Sequence, residues 1–126
     1  MFSFRGRESG GWDRVTVDEA RRRTQGTDPG AVLLDAREQG EWDAGHAPGA
    51  VHAPLSALTA GADLPKAAQG RALVVICRSG KRSQHAAELL AGRGIAEVVD
   101  VKGGMTEWAA AGYPVVDKSG NNGSIA

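Results

Sequence analysis

The chain has one cysteine, Cys77, among 126 residues. An intrachain disulfide and a multi-cysteine metal site are therefore excluded. It also has no net charge, because 15 basic residues balance 15 acidic ones. That balance gives no global reason to bind nucleic acid or an anionic membrane, and neither is expected as a partner. Long apolar runs are missing. The longest covers residues 72–77, far short of the ~20 residues that span a bilayer. The first residues, MFSFRGRESGG, lack the apolar centre of a secretory signal, so a reducing, cytoplasmic setting is expected. A G-x-y period is absent too, which excludes collagen although glycine is abundant.

Glycine, at 18 of 126 residues, is about twice its usual ~7%. These glycines read as sharp joints between short elements. With 41% hydrophobic and 24% charged residues, the composition is that of an ordinary globular domain. The length allows one domain with a substantial core. Residues 1–11 read as a flexible arm, residues 12–116 as the domain, and residues 117–126 (DKSGNNGSIA) as a disordered tail.

Strand and helix signals alternate through the domain. Val15-Thr16-Val17 suggests a short entry strand. Thr16 followed by Glu19 has capping-box spacing for a helix reaching about Arg23. AVLLD (31–35) and ALVVI (72–76) are continuous apolar runs, as expected of strands covered on both faces. A short helix is expected over residues 38–44, with Gly45 as its C′ stop, and a short strand over 50–52. A weak helical turn is expected at 55–60, and Ala86, Leu89 and Leu90 mark the inner face of a helix over 83–93. A strand at 98–101 and a helix at 105–111 close the pattern. This rhythm predicts an α/β fold with a mostly parallel sheet. Chemistry is then expected just beyond the C-terminal ends of the strands.

Cys77 ends the second strong strand. Arg78-Ser79-Gly80-Lys81-Arg82 and then a helix starting near Ser83 follow it. Gly80 lets that loop curl so that successive amides point inward, and the helix adds the positive end of its dipole. Such a cradle favours a thiolate. Residues 65–87 contain no acid but hold Lys66, Arg71, Arg78, Lys81 and Arg82. An anionic substrate steered to the sulfur is the corresponding expectation.

Three segments in order resemble the rhodanese (thiosulfate sulfurtransferase) family: LLDAREQGEWDAGHAPGAVHAPL (33–55), CRSGKRS (77–83) and GGMTEWAAAGYPV (103–115). The resemblance covers about residues 14–116. It implies a single rhodanese-like domain with a small, mostly parallel five-stranded sheet and helices on both faces. It places the catalytic cysteine at Cys77 and the active-site loop at Arg78, Ser79, Gly80, Lys81, Arg82 and Ser83. Asp35, Arg37 and His46 are expected to organise and brace the surroundings. The implied activity moves a sulfane sulfur from a small anionic donor such as thiosulfate to cyanide, a thiol or a sulfur carrier, through a Cys77 persulfide and without a cofactor. His52 and His85 have no metal-ligand spacing, Trp42 and Trp108 are expected in the core, and Trp12 lies at the loose entry. A non-catalytic binding module and a cysteine phosphatase or arsenate reductase remain as alternatives. Phosphatases of this kind resemble one another in a Cys-x5-Arg loop, whereas here the sixth residue after Cys77 is Ser83, and Arg82 comes one place too early.

Overall fold

The two continuous apolar runs form the middle of the sheet, as their two-sided hydrophobicity requires. In the computed structural model, which describes residues 13–126, β2 (Ala31–Asp35) pairs with β4 (Ala72–Ile76) along its full length. β5 (Val98–Val101) lies on the far side of β4, with β1 (Asp13–Val15) beyond it. β3 (Val51–His52) flanks β2. The order is β1-β5-β4-β2-β3, and every pairing is parallel. The expected sheet is thus present, and it is wholly parallel. The proposed arm at residues 1–11, and Trp12, lie outside the described residues.

Alternation along the strands divides the core into two layers. Leu34, Leu73 and Val75 face α3 (Leu55–Thr59) and α4 (Arg82–Gly92), where they meet Leu58, Ala86, Ala87 and Leu90. Leu33, Val74, Ile76 and Val101 face the opposite way, toward Ala20 of α1 (Val17–Thr24) and Met105 and Trp108 of α5 (Gly104–Ala110). A fifth helix, α2 (Gln39–Ala44), follows β2, and none of its residues is fully buried. Among the described residues the helices, numbered in chain order, are α1 to α5, with a 3-10 turn at Lys66–Ala68.

Four local expectations are corrected. β1 ends at Val15 because Thr16 caps α1, its hydroxyl accepting from the Glu19 amide at 3.1 Å. Gly45 does follow the end of α2, but it is extended, with φ 175°, and lacks the left-handed conformation usual for a C′ glycine. A Cβ there would lie 2.2 Å from the Ser124 carbonyl oxygen, so close packing is what demands glycine. Trp42 is half-buried, stacked between His46 and His52 at centroid distances of 3.6 and 4.7 Å, while Trp108 alone of the two joins the core.

The fourth correction concerns residues 117–126, which were expected to be disordered. Val116 and His46 exchange backbone hydrogen bonds of 2.8 and 2.9 Å, and the Ser124 amide donates to the Ala44 carbonyl at 2.9 Å. Val116 also bridges Asn122. The Gly- and Asn-rich stretch makes the turn of this clasp, and Ile125 packs onto the layer containing Met105 and Trp108. One apolar residue and a row of paired amides hold a segment whose composition lacks any periodic pattern.

Candidate active site

Cys77 leaves the C-terminal end of β4, where the sheet's parallel strands open onto a loop and the start of α4. It is 1% exposed. The Gly80 amide donates to its Sγ at 3.1 Å. Gly80 has φ 101°, and a Cβ would meet the Gly103 nitrogen at 3.0 Å and the Arg14 Nη2 at 3.1 Å. Glycine is therefore needed for both conformation and space.

The start of α5 seals the other side. The Met105 amide donates to the Cys77 carbonyl at 2.7 Å, and the Thr106 amide to the Arg78 carbonyl at 3.0 Å. A Cβ on Gly104 would lie 2.3 Å from that Cys77 carbonyl oxygen, so the Gly-Gly turn is what lets α5 approach the loop. Unsatisfied amides at one helix start thus satisfy carbonyls of the cysteine loop.

Behind the sulfur lies a polar chain. The Ser83 hydroxyl, fully buried, is 3.5 Å from Sγ and donates to Asp100 Oδ2 at 2.8 Å. Asp100 sits on β5, opposite Arg14 of β1 in the strand register. Arg14 donates through Nε to Oδ1 at 2.9 Å and through Nη2 to Oδ2 at 3.1 Å. The same Nη2 donates to the Gly80 carbonyl at 2.9 Å. Asp100 and Arg14 were not foreseen. The available signal was a carboxylate inside the otherwise apolar run VVDV.

The loop cations differ from the charge-window expectation. Arg82 forks onto Glu41 of α2, with distances of 2.6 and 2.7 Å. Hydrogen bonding to Arg82 holds the Glu41 carboxyl down at about 2, and Glu41, aided by negative charge on Cys77, holds Arg82 above its ordinary value. Arg78 is exposed, and its Nε donates to the Ala126 carbonyl at 2.8 Å. Arg71 lies at the other end of β4, bonded to the Pro29 carbonyl. Among the described residues, Lys81 is the loop cation with no hydrogen bond or ion pair, and it is exposed. Ser79 is exposed beside it.

The supporting residues gather at the end of β2. Asp35 and Arg37 are fully buried and paired at 2.9–3.2 Å, and Arg37 Nη2 reaches the Gly45 carbonyl at 2.5 Å. His46 bonds the Trp42 carbonyl through Nδ1 at 2.7 Å, and His52 bonds the Arg37 carbonyl through Nε2 at 2.7 Å. These contacts brace the 37–52 segment. His85 is exposed on α4. No cluster of three His, Cys, Asp or Glu suited to a metal occurs among the described residues, and no described helix is long and apolar enough to cross a membrane. A hollow of about 440 Å³ lies at the opposite end of the sheet, lined by residues such as Gly30, Ala31, Ala72 and Glu97, remote from the thiol chemistry.

Residues 16–111 match the family model described as a rhodanese-like domain. The chain is 40% identical over 88 residues to the thiosulfate sulfurtransferase GlpE of Pseudomonas savastanoi pv. phaseolicola, covering 68% of this chain and 77% of that protein. It is 36% identical over 78 residues to the probable adenylyltransferase/sulfurtransferase MoeZ of Mycobacterium tuberculosis, covering 62% of this chain but spanning only 20% of MoeZ. Among solved structures, the Alr3790 protein of Anabaena sp. is similar, with a TM-score of 0.69, 27% identity and 82% of each chain covered. A single α/β domain, a cysteine loop at the end of its central strand and these matches agree: the chain belongs to the rhodanese-like family.

Proposed function

We propose that this protein is a sulfurtransferase that carries a sulfane sulfur on Cys77. The observation that carries the reading is the lone thiol at a strand end, with the Gly80 amide on its sulfur and, at the loop, an exposed Lys81 that has no partner among the described residues. The Cys77 thiolate attacks the outer sulfur of thiosulfate. An Sγ–S bond forms, the S–S bond of thiosulfate breaks, and sulfite leaves with the electron pair. The product is a Cys77 persulfide, a covalent intermediate that divides the transfer into two displacements. Cyanide, a thiol or a sulfur-carrier protein then attacks the outer sulfur and returns the Cys77 thiolate. We place this work in the cytoplasm, with no nucleic acid or membrane partner.

Roles follow from what each side chain can still do. Lys81 steers the anionic donor, and Arg78 joins it by exchanging a backbone carbonyl for a charged oxygen. Arg82 orders the loop through Glu41. Ser79 and Gly80 shape the cradle, Ser83 contacts the sulfur, and Asp35, Arg37 and His46 hold the neighbouring wall. The Arg82–Glu41 fork supports sulfur over phosphoryl chemistry, because the loop's last arginine is engaged by a carboxylate and already sits one place short of the phosphatase spacing.

Intact-protein mass spectrometry tests the reading. Thiosulfate should add one sulfur atom, cyanide should remove it, and Cys77→Ser should abolish both steps. Turnover by the Ser variant would overturn the nucleophile. Aryl phosphate hydrolysis by the native protein would overturn the reaction class. A fully reduced Cys77 that never gains sulfur would favour the binding-module alternative.

A further inference from the structure

The polar chain behind Cys77 has a direction, and the direction has consequences. A serine hydroxyl has one hydrogen. In Ser83 that hydrogen goes to Asp100 Oδ2 at 2.8 Å, a charge-assisted bond. The face of Ser83 Oγ turned to the sulfur at 3.5 Å therefore offers a lone pair. It can accept the Cys77 S–H hydrogen, and it cannot simultaneously donate to a thiolate. Arg14 fixes this arrangement by holding both Asp100 oxygens while also gripping the Gly80 carbonyl.

We propose that Asp100, with Arg14 behind it, is the positioning residue of the Cys77 loop: it orients Ser83 as an acceptor toward Sγ, which disfavours the resting thiolate relative to the persulfide. The relevance to sulfur transfer rests on the function proposed above. In the thiolate, the negative charge sits on Sγ, against the Ser83 lone pair. In the persulfide, Sγ is a neutral sulfur with two bonds, and the charge lies on the outer sulfur. Forming the Sγ–S bond and releasing sulfite with its electron pair thus relieves an unfavourable contact. The arrangement drives loading, and the Gly80 amide limits the penalty on the free thiolate.

The other charged groups on the surrounding elements have their own engagements. Asp35 and Arg37 pair with each other beside β4, Arg78 bonds the Ala126 carbonyl, and Arg82, paired with Glu41, also feels the charge on Cys77. Lys81 is exposed on the loop, and Glu107 and Lys102 are exposed near the start of α5. Among the described residues, Ser83, held by Asp100, makes the side-chain hydrogen bond to the sulfur itself.

The test reads the thiolate directly, by its absorbance near 240 nm during a pH titration, with Cys77→Ser as the blank. Asp100→Asn keeps the shape, removes the charge, and gives Ser83 an N–H donor so that its hydroxyl can turn to the sulfur. The titration midpoint should fall by about one pH unit. Ser83→Ala should also lower it, since the thiol loses its acceptor, and adding Asp100→Asn to Ser83→Ala should move it little further. Above both midpoints, the persulfide fraction formed in a fixed thiosulfate–sulfite mixture should drop about five- to tenfold in Asp100→Asn, a change readable by intact mass. A raised midpoint in Ser83→Ala would mean that Ser83 donates to the thiolate, and the inference would fail. An unchanged midpoint in that variant would defeat it too. Ser83→Ala decides the matter alone if Asp100→Asn does not fold. If the native protein forms no persulfide, the proposed function fails while the absorbance titration still judges the role of Asp100.

Discussion

Two Asp–Arg pairs stand at the C-terminal end of this sheet, and they differ in what they hold. Asp35–Arg37, at the end of β2, is wholly buried and turns its spare donor to the Gly45 carbonyl. Asp100–Arg14 joins β5 to β1, and it turns its spare donor to Gly80 and its carboxylate to Ser83. The first pair organises a wall. The second is wired to the thiol. Identical chemistry thus serves scaffold or site according to the neighbour that receives the remaining hydrogen bond.

The sharpest way to break the comparison is to remove one arginine from each pair. Arg37→Ala strands a carboxylate with no exposure, so it should cost about 3–5 kcal/mol in urea denaturation. The folded fraction should keep its Cys77 thiolate midpoint. Arg14 is about one-third exposed in its side chain, and Asp100 retains Ser83. Arg14→Ala should therefore cost less, about 1–3 kcal/mol, yet it should lower kcat/KM for thiosulfate more than Arg37→Ala does per folded molecule. A larger activity loss from Arg37→Ala, corrected for folding, would assign the functional role to the wrong pair.

The difference between the pairs also explains what could be read in advance. Asp35 and Arg37 are two residues apart at the end of a strong apolar run, so sequence alone places them together. Arg14 and Asp100 are 86 positions apart, and only the β1–β5 register brings them into contact. The strands, their parallel pairing and the cysteine loop were legible because apolar runs and glycine joints are local signals. The pairing of Arg82 with Glu41 was not, because an acid-free window in sequence says nothing about an acid arriving from another helix. The clasp at residues 117–126 was missed for a similar reason. Its hydrogen bonds are made by backbone groups, and Ile125 is a single apolar residue without a period.

That clasp bears on the scaffold side of the comparison. Ser124 packs on Gly45, whose carbonyl receives Arg37. Ile125 is half-buried against the Met105–Trp108 layer. Ile125→Ala should cost about 1–2 kcal/mol, below the range for a fully buried aliphatic residue, as measured by thermal or urea unfolding. Deleting residues 118–126 should cost at least as much. A deletion that leaves stability unchanged would restore the disordered tail expected from composition.

Glu41 sharpens the comparison most finely, because it stands between the two regions. It grips Arg82 at the start of the cysteine-loop helix, and the Arg37 charge also stabilises its ionised form. Its carboxyl is held at about 2, against an ordinary 4.5, with hydrogen bonding to Arg82 as the largest cause. A carboxyl lowered in the folded state contributes stability that is complete above about 4.5 and is lost as pH falls toward and through 2. Both side chains of the pair remain partly exposed, at 34% for Arg82 and 21% for Glu41. Solvent screening therefore limits the pair to about 0.5–1 kcal/mol. Glu41→Gln should be less stable than the native protein by that amount near pH 6, and the gap should close as pH approaches 2. Comparing the two proteins at each pH cancels the titration of every other carboxylate. A gap that persists at pH 2 would mean that Glu41 stabilises by packing, and the bridge between scaffold and site would then be one of shape and not of charge.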